Sequence, residues 1–221
     1  TLVISAMGIV PDVNKTVTMD LKTEGNLLYV IGDTRDEMDG SHYNLLHGIE
    51  GGTVPQPNPD AMQTYRALHQ AMQQGLIQSC HDVSEGGLAV ALAEMCIAGR
   101  LGSEIDICGL VPGLYGLKED HTAPWDLTMC FAESGSRFIV EVRPEDRQSF
   151  EVLMRSKLPE NSFEDVCGQV VDEAHLKIGG CDTTGIPSLS IADLERAWRG
   201  ETPQPIPTRN ALDMNTQMLQ V

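Results

Sequence analysis

The sequence predicts an α+β fold, a mixed β-sheet with helices packed against it. Three observations carry this. The first 32 residues hold three apolar or alternating runs, each closed by turn chemistry, the pattern of consecutive strands. Beyond residue 60, stretches of helical period alternate with strand-like runs. Strands thus come both in succession and between helices, which argues against a purely parallel doubly wound sheet. At 221 residues, 41% of them apolar and 21% charged, the chain can bury a sizeable core.

Residues 2–10, LVISAMGIV, read as a buried strand closed by Pro11 and Asp12. Residues 16–22, TVTMDLK, alternate and predict a half-buried strand, after which Glu24, Gly25 and Asn26 turn the chain into a third, LLYVIG, over 27–32. Residues 33–59 are broken by Gly40, Gly48, Gly51, Gly52, Pro55, Pro57 and Pro59, and read as loop. A helix opens at Asp60, with Ala61, Tyr65, Leu68 and Met72 at helical spacing and Gly75 as the stop.

Residues 76–83 form a short apolar strand that runs directly into a helix over 86–98, stopped by Gly99. Residues 103–110 and 137–142 read as strands separated by a loop containing glycine and proline. A helix over 144–156 begins with Pro144 and acids and carries Arg155 near its end, as the helix dipole favours. Residues 165–171 and 175–180 look like a final strand pair, and 191–200 like a closing helix. From Glu201 the chain is rich in proline and polar, so residues 1–200 are expected to be one domain and 201–221 a tail.

Charge narrows the partners. With 15 basic against 32 acidic residues the net charge is −17, a surface that repels phosphate backbones, so no nucleic-acid partner is expected. An anionic ligand would need a metal ion or backbone N–H groups to hold it. No run approaches the roughly 18 apolar residues of a membrane span, so no membrane partner is expected. The start lacks the basic leader and apolar core of a signal peptide. The six cysteines, at positions 80, 96, 108, 130, 167 and 181, form no CxxC and no Cys/His pair at zinc spacing. Those in apolar stretches, Cys80, Cys96 and Cys108, read as small hydrophobes, and a reducing cytoplasm is the expected setting.

The stretch with chemistry in it is HDVSEGGLAVALAEM, residues 81–95. It places Asp82 and Ser84 on a tight strand-to-helix connection, with Gly86 and Gly87 at the helix mouth. Ser84 is suited to cap that helix. The paired glycines let another backbone, or a phosphate, come close. Free N–H groups and the helix dipole favour an anion there. A carboxylate beside such an anion is repulsive unless a cation lies between, so Asp82 points to magnesium bridged to phosphate oxygens. The competing reading is a plain capped turn. Neither a P-loop nor a GxGxxG fingerprint is present.

These residues, with GSHYNLLHG before them and FAESGSRFIVEV after, resemble the last domain of the phosphoribosylformylglycinamidine synthase family. KTVTMDLKTEGNLLYVIGDT resembles the start of that domain, and the likeness runs from about residue 2 to about 199. The wider fold family includes aminoimidazole ribonucleotide synthase, selenophosphate synthetase and thiamine monophosphate kinase. The resemblance implies part of an ATP-dependent carbon–nitrogen ligase of purine biosynthesis. That enzyme converts formylglycinamide ribonucleotide and glutamine-derived ammonia to the amidine through an iminophosphate. It is built from two related halves, and HDVS here, rather than a QDMGAAG-type turn, matches the second.

The resemblance implies ATP and Mg2+ as cofactors, with Asp82 a magnesium ligand and Ser84 an ATP contact, and Ser84, Gly86 and Gly87 are together the expected ATP-binding residues. ESGSR, with Glu133, Ser134 and Arg137, matches a stretch that touches substrate in the first half, although Gly135 replaces a glutamine. His42 stands where the family usually has Glu, and His81 reads as a structural histidine. The implied partners are ATP-binding N-terminal domains of the same enzyme and a glutaminase component. No residue of the chain is assigned a catalytic role, and alone it is expected to be inactive. The alternatives are a non-catalytic scaffold and another enzyme of the same fold.

Overall fold

The structure is a computed structural model that describes residues 4–110, 125–159, 162–163, 166–180 and 186–201. Among them, seven strands form one sheet in the order β2-β4-β1-β5-β3-β6-β7. The strands are β1 (Leu27–Ile31), β2 (Ser79–Val83), β3 (Gly102–Asp106), β4 (Arg137–Val142), β5 (Gly168–Val171), β6 (His175–Gly179) and β7 (Ile186–Ser190). Every pairing is antiparallel except β3 with β6, so the sheet is mixed as predicted. The helices are α1 (His42–His47), α2 (Ala61–Gln73), α3 (Gly87–Gly99), α4 (Trp125–Phe131), α5 (Arg147–Lys157) and α6 (Ile191–Trp198).

Strand alternation splits the core in two. Leu28 and Val30 of β1 join Ile139 of β4 in a cluster with Leu88, Leu92 and Met95 of α3. Tyr29 and Ile31 point the other way, into a cluster with Leu68 of α2 and Phe150 and Met154 of α5. Helices therefore cover both faces. α3 is apolar nearly all round because the sheet lies on one side of it and α4 and α6 pack elsewhere on its surface.

The α2 stripe differs from its prediction. Thr64, Ala67, Leu68 and Ala71 are the buried positions, while Met62 and Tyr65 face outward. Small side chains let the helix lie close to the sheet, and this turns the larger residues to the surface.

Other expectations are corrected. Residues 4–10 form no strand and are exposed. Residues 16–22 form no strand either, because their polar backbone is taken by partners outside a ladder. Thr18 accepts from the Cys80 N–H (3.1 Å), Leu21 donates to Met95 O (3.3 Å), and Lys22 donates to the Glu141 carboxylate (2.9 Å). Gly99 allows this, since a Cβ there would meet the Leu21 carbonyl at 2.4 Å. The helix itself stops one residue later, at Arg100 in the left-handed region. α1 lies inside the predicted loop, capped by the Ser41 hydroxyl accepting from the Asn44 N–H (3.2 Å). α4 falls in the loop expected between strands, and β7 was not foreseen. The predicted tail from 202 on lies outside the described residues. No helix among them is long and apolar enough to cross a membrane.

Candidate functional site

β2 runs into α3 through residues 84–86, as the motif predicts, and this connection forms one wall of an open cavity of ≈ 590 Å³. Asp82, Ser84, Glu133 and Arg137 all line it, together with Tyr65 and Phe138. The register explains the meeting. β2 pairs with β4 so that Asp82 lies opposite Phe138 and Val83 opposite Arg137, which brings the 81–87 and 133–137 segments to the same sheet end.

Asp82 is about two-thirds exposed (66%), its Oδ1 3.3 Å from His81 Nδ1. The other ring nitrogen of His81 is 2.8 Å from Glu94 Oε2, a contact that ties β2 to α3. Ser84 does not cap α3 through its side chain. Its carbonyl accepts from the Gly87 N–H (3.1 Å), and the N-cap is Gly86 at φ +80°. Both glycines are buried. A Cβ on Gly87 would meet Cys130 O at 2.7 Å and Ala132 O at 2.8 Å, so the close approach it permits in this structure is that of the end of α4.

Glu133 is the keystone of the helix mouth. One carboxylate oxygen accepts from the Gly86 N–H (2.8 Å) and the His42 N–H (2.9 Å), and lies 3.2 Å from His42 Nδ1. Partial burial alone would raise its pKa, but the amides of His42 and Gly86 and the His42 ring outweigh that and hold it below the ordinary carboxylate value. A depressed carboxylate contributes stability that is present above its unfolded pKa and is lost as pH falls through the folded one. We expect Glu133→Gln to flatten the acid limb of the stability–pH curve below about pH 4.5, measured by urea unfolding across pH 3–7. An unchanged limb would mean that the contact carries no linkage.

The other two ESGSR residues turn inward. Ser134 is fully buried, its hydroxyl accepting from the Arg35 N–H at 3.1 Å. The Arg137 guanidinium, also fully buried, donates to Ser134 O (3.0 Å), Thr34 Oγ1 (2.9 Å) and Ala132 O. Burial pushes its pKa down to about 10, against the opposing charge of Glu37. These two therefore build the wall, and Glu133 is the member of the trio with a partly exposed carboxylate.

The charged residues lining the cavity are Asp82, Glu85, Glu133 and Arg137, the last committed to the protein interior. An anionic ligand here requires a cation. No cluster of three metal-ligating side chains occurs among the described residues. A single exposed carboxylate such as Asp82 fits magnesium, which is held by one or two carboxylates with water and phosphate oxygens completing the shell. The free thiols are unsuited to nucleophilic work. Burial raises those of Cys80, Cys130 and Cys167 to about 12 and that of Cys96 to about 11. Cys108, contrary to its reading as a small hydrophobe, is exposed and disulfide-bonded.

Sequence reasoning missed Tyr65 and Phe138. Tyr65 sits at helical spacing from Leu68, which is also the signal of a core residue.

Comparison with known proteins bears on family and fold. The family model described as AIR synthase related protein, C-terminal domain, matches residues 23–180. The phosphoribosylformylglycinamidine synthase subunit PurL of Thermosynechococcus vestitus is 32% identical over 214 residues, covering 92% of this chain and 26% of that protein. Its counterpart in Alkaliphilus metalliredigens is 33% identical over 203 residues, covering 90% and 25%. The chain thus spans about a quarter of the length of these curated relatives. Among solved structures, Thermotoga maritima PurL complexed with FGAR superposes with a TM-score of 0.65 at 20% identity, over 82% of this chain and 30% of that one. The same protein complexed with ATP gives 0.60 at 18%, over 82% and 27%. These structural likenesses show the fold. With the family model matched over most of its length, the chain belongs to the AIR synthase related proteins, as their C-terminal domain.

Proposed function

We propose that this chain is the nucleotide-receiving C-terminal domain of an ATP-dependent carbon–nitrogen ligase of the phosphoribosylformylglycinamidine synthase type. The observation that carries the reading is the convergence of Asp82, Ser84 and Glu133 on one open cavity at the mouth of α3. Support comes from relatives named as PurL subunits of that synthase, and from solved relatives described as complexed with ATP and with FGAR. In this reading the complete enzyme turns formylglycinamide ribonucleotide, ATP and ammonia into the amidine in the cytoplasm. A partner ATP-binding domain supplies the catalytic groups and a glutaminase component supplies the ammonia.

Asp82 would hold Mg2+, which neutralises phosphate charge where an acidic cavity alone repels it. Ser84 presents an exposed hydroxyl beside it, while Gly86 and Gly87 keep the helix mouth narrow. Residues 201–221 are assigned to a tail outside this domain.

The test is titration of Mg–ATP into the protein assembled with its ATP-binding partner domain. Asp82→Asn is expected to weaken binding about tenfold or more, the usual consequence of disturbing a metal shell. Equal affinity in the variant would favour the second reading, a scaffold domain. That reading has its own observation, since Glu133 already occupies the Gly86 N–H.

A further inference from the structure

The cavity has an aromatic side to which no role has been assigned. Tyr65 projects from the outward face of α2 and is 42% exposed, although its ring is fixed at two points. It packs against Phe138 in a T-shaped pair, with ring centroids 5.9 Å apart and planes at 89°. Its hydroxyl lies 2.8 Å from Ser136 Oγ. Ser136 adopts a left-handed φ of +65°, which non-glycine residues rarely hold without support. The buried Arg137 guanidinium on Ser134 O braces that turn. A half-exposed tyrosine held in this way is pre-organised, so a ligand stacking on it loses little to side-chain ordering.

The aromatic pair stands close to the acid. Asp82 and Phe138 are directly opposed in the β2–β4 ladder, so their side chains leave the same face with Cβ atoms about 5 Å apart. The cavity therefore offers a carboxylate suited to a cation at one end and a fixed ring at the other, in a volume that suits a mononucleotide-sized ligand. From this juxtaposition we propose that Tyr65 is the base-binding residue of the cavity, stacking the heteroaromatic ring of a nucleotide whose magnesium-bound phosphates lie at Asp82. The assignment rests on the nucleotide reading above and adds which side chain recognises the base.

The experiment compares Mg–ADP with Mg–tripolyphosphate, which has the phosphates and no base. Both are titrated into the full-length protein, and only the component of binding that Asp82→Asn removes is scored. Tyr65→Leu should weaken Mg–ADP by about tenfold or more, the scale of one base–aromatic stack, and leave Mg–tripolyphosphate unchanged. Tyr65→Phe should keep most of the affinity, since the ring remains. Thermal unfolding should show all variants folded, because Tyr65 lies outside the buried stripe of α2. Undiminished Mg–ADP affinity in Tyr65→Leu overturns the inference alone, as does equal weakening of both probes, which would make Tyr65 a shaper of the cavity. Absence of Asp82-dependent binding of either probe to the wild type overturns the nucleotide reading and the inference with it.

Discussion

Replacing Arg137 with methionine will destabilise the protein by about 3–5 kcal/mol, the range found when one partner of a buried charged network is removed. The guanidinium is fully buried and satisfies the carbonyls of Ala132 and Ser134 and the hydroxyl of Thr34. Methionine fills comparable length and donates nothing, so three buried acceptors lose their partner at once. The loss also leaves the buried Glu37 carboxylate, which pairs with Arg35 Nε at 3.3 Å, facing less compensating charge. Arg137→Lys should recover little, because a single ammonium cannot reproduce the planar fork. The measurement is the urea midpoint at an unchanged slope. A loss under 1 kcal/mol would show that this wall of the cavity holds itself up without the arginine.

Glu141→Ala is expected to cost a similar amount, about 3–5 kcal/mol, for the complementary reason. This carboxylate on β4 is fully buried and collects four donors, three from residues 22–26 and one from β2. The Lys22 N–H lies at 2.9 Å, the Thr23 N–H at 3.1 Å, Asn26 Nδ2 at 2.6 Å and Ser79 Oγ at 2.8 Å. Alanine strands all four. Hydrogen exchange of the Lys22 and Thr23 amides should accelerate together with the fall in stability, as the segment ahead of β1 comes loose. Unchanged protection at those amides would mean that the segment is held by the packing of Leu21 instead.

Much of the sheet was legible because its strands keep their alternation and its longer helices keep their period. β1, β2, β4 and the helices α2, α3, α5 and α6 lie close to their predicted positions. The failures have separate physical causes, one of them that pattern reports a face and not a partner. Residues 16–22 alternate like a strand, yet the Leu21 amide goes to the Met95 carbonyl and the Lys22 amide to the side-chain carboxylate of Glu141, far along the chain. The seven residues of α4 are too few to show a period, and Pro187 inside β7 argues against the strand that forms there. At the site, Asp82, Ser84 and Glu133 were legible as motif residues. Arg137 was legible as a residue of interest but not as a buried strut, since burial of a charge depends on which carbonyls the fold delivers to it. Tyr65 was hidden by a one-position rotation of α2, which small alanines made possible and hydrophobicity alone does not reveal.

The carboxylate of Glu133 sitting on the Gly86 amide has a further consequence. An anion arriving at that amide finds a rival tethered to the same polypeptide, at an effective concentration of order millimolar or above. It must evict this rival before it can be held by the amide itself. Eviction also releases the His42 N–H, and with it the start of α1, so occupancy of the amide and slackening of that segment are two ends of one exchange.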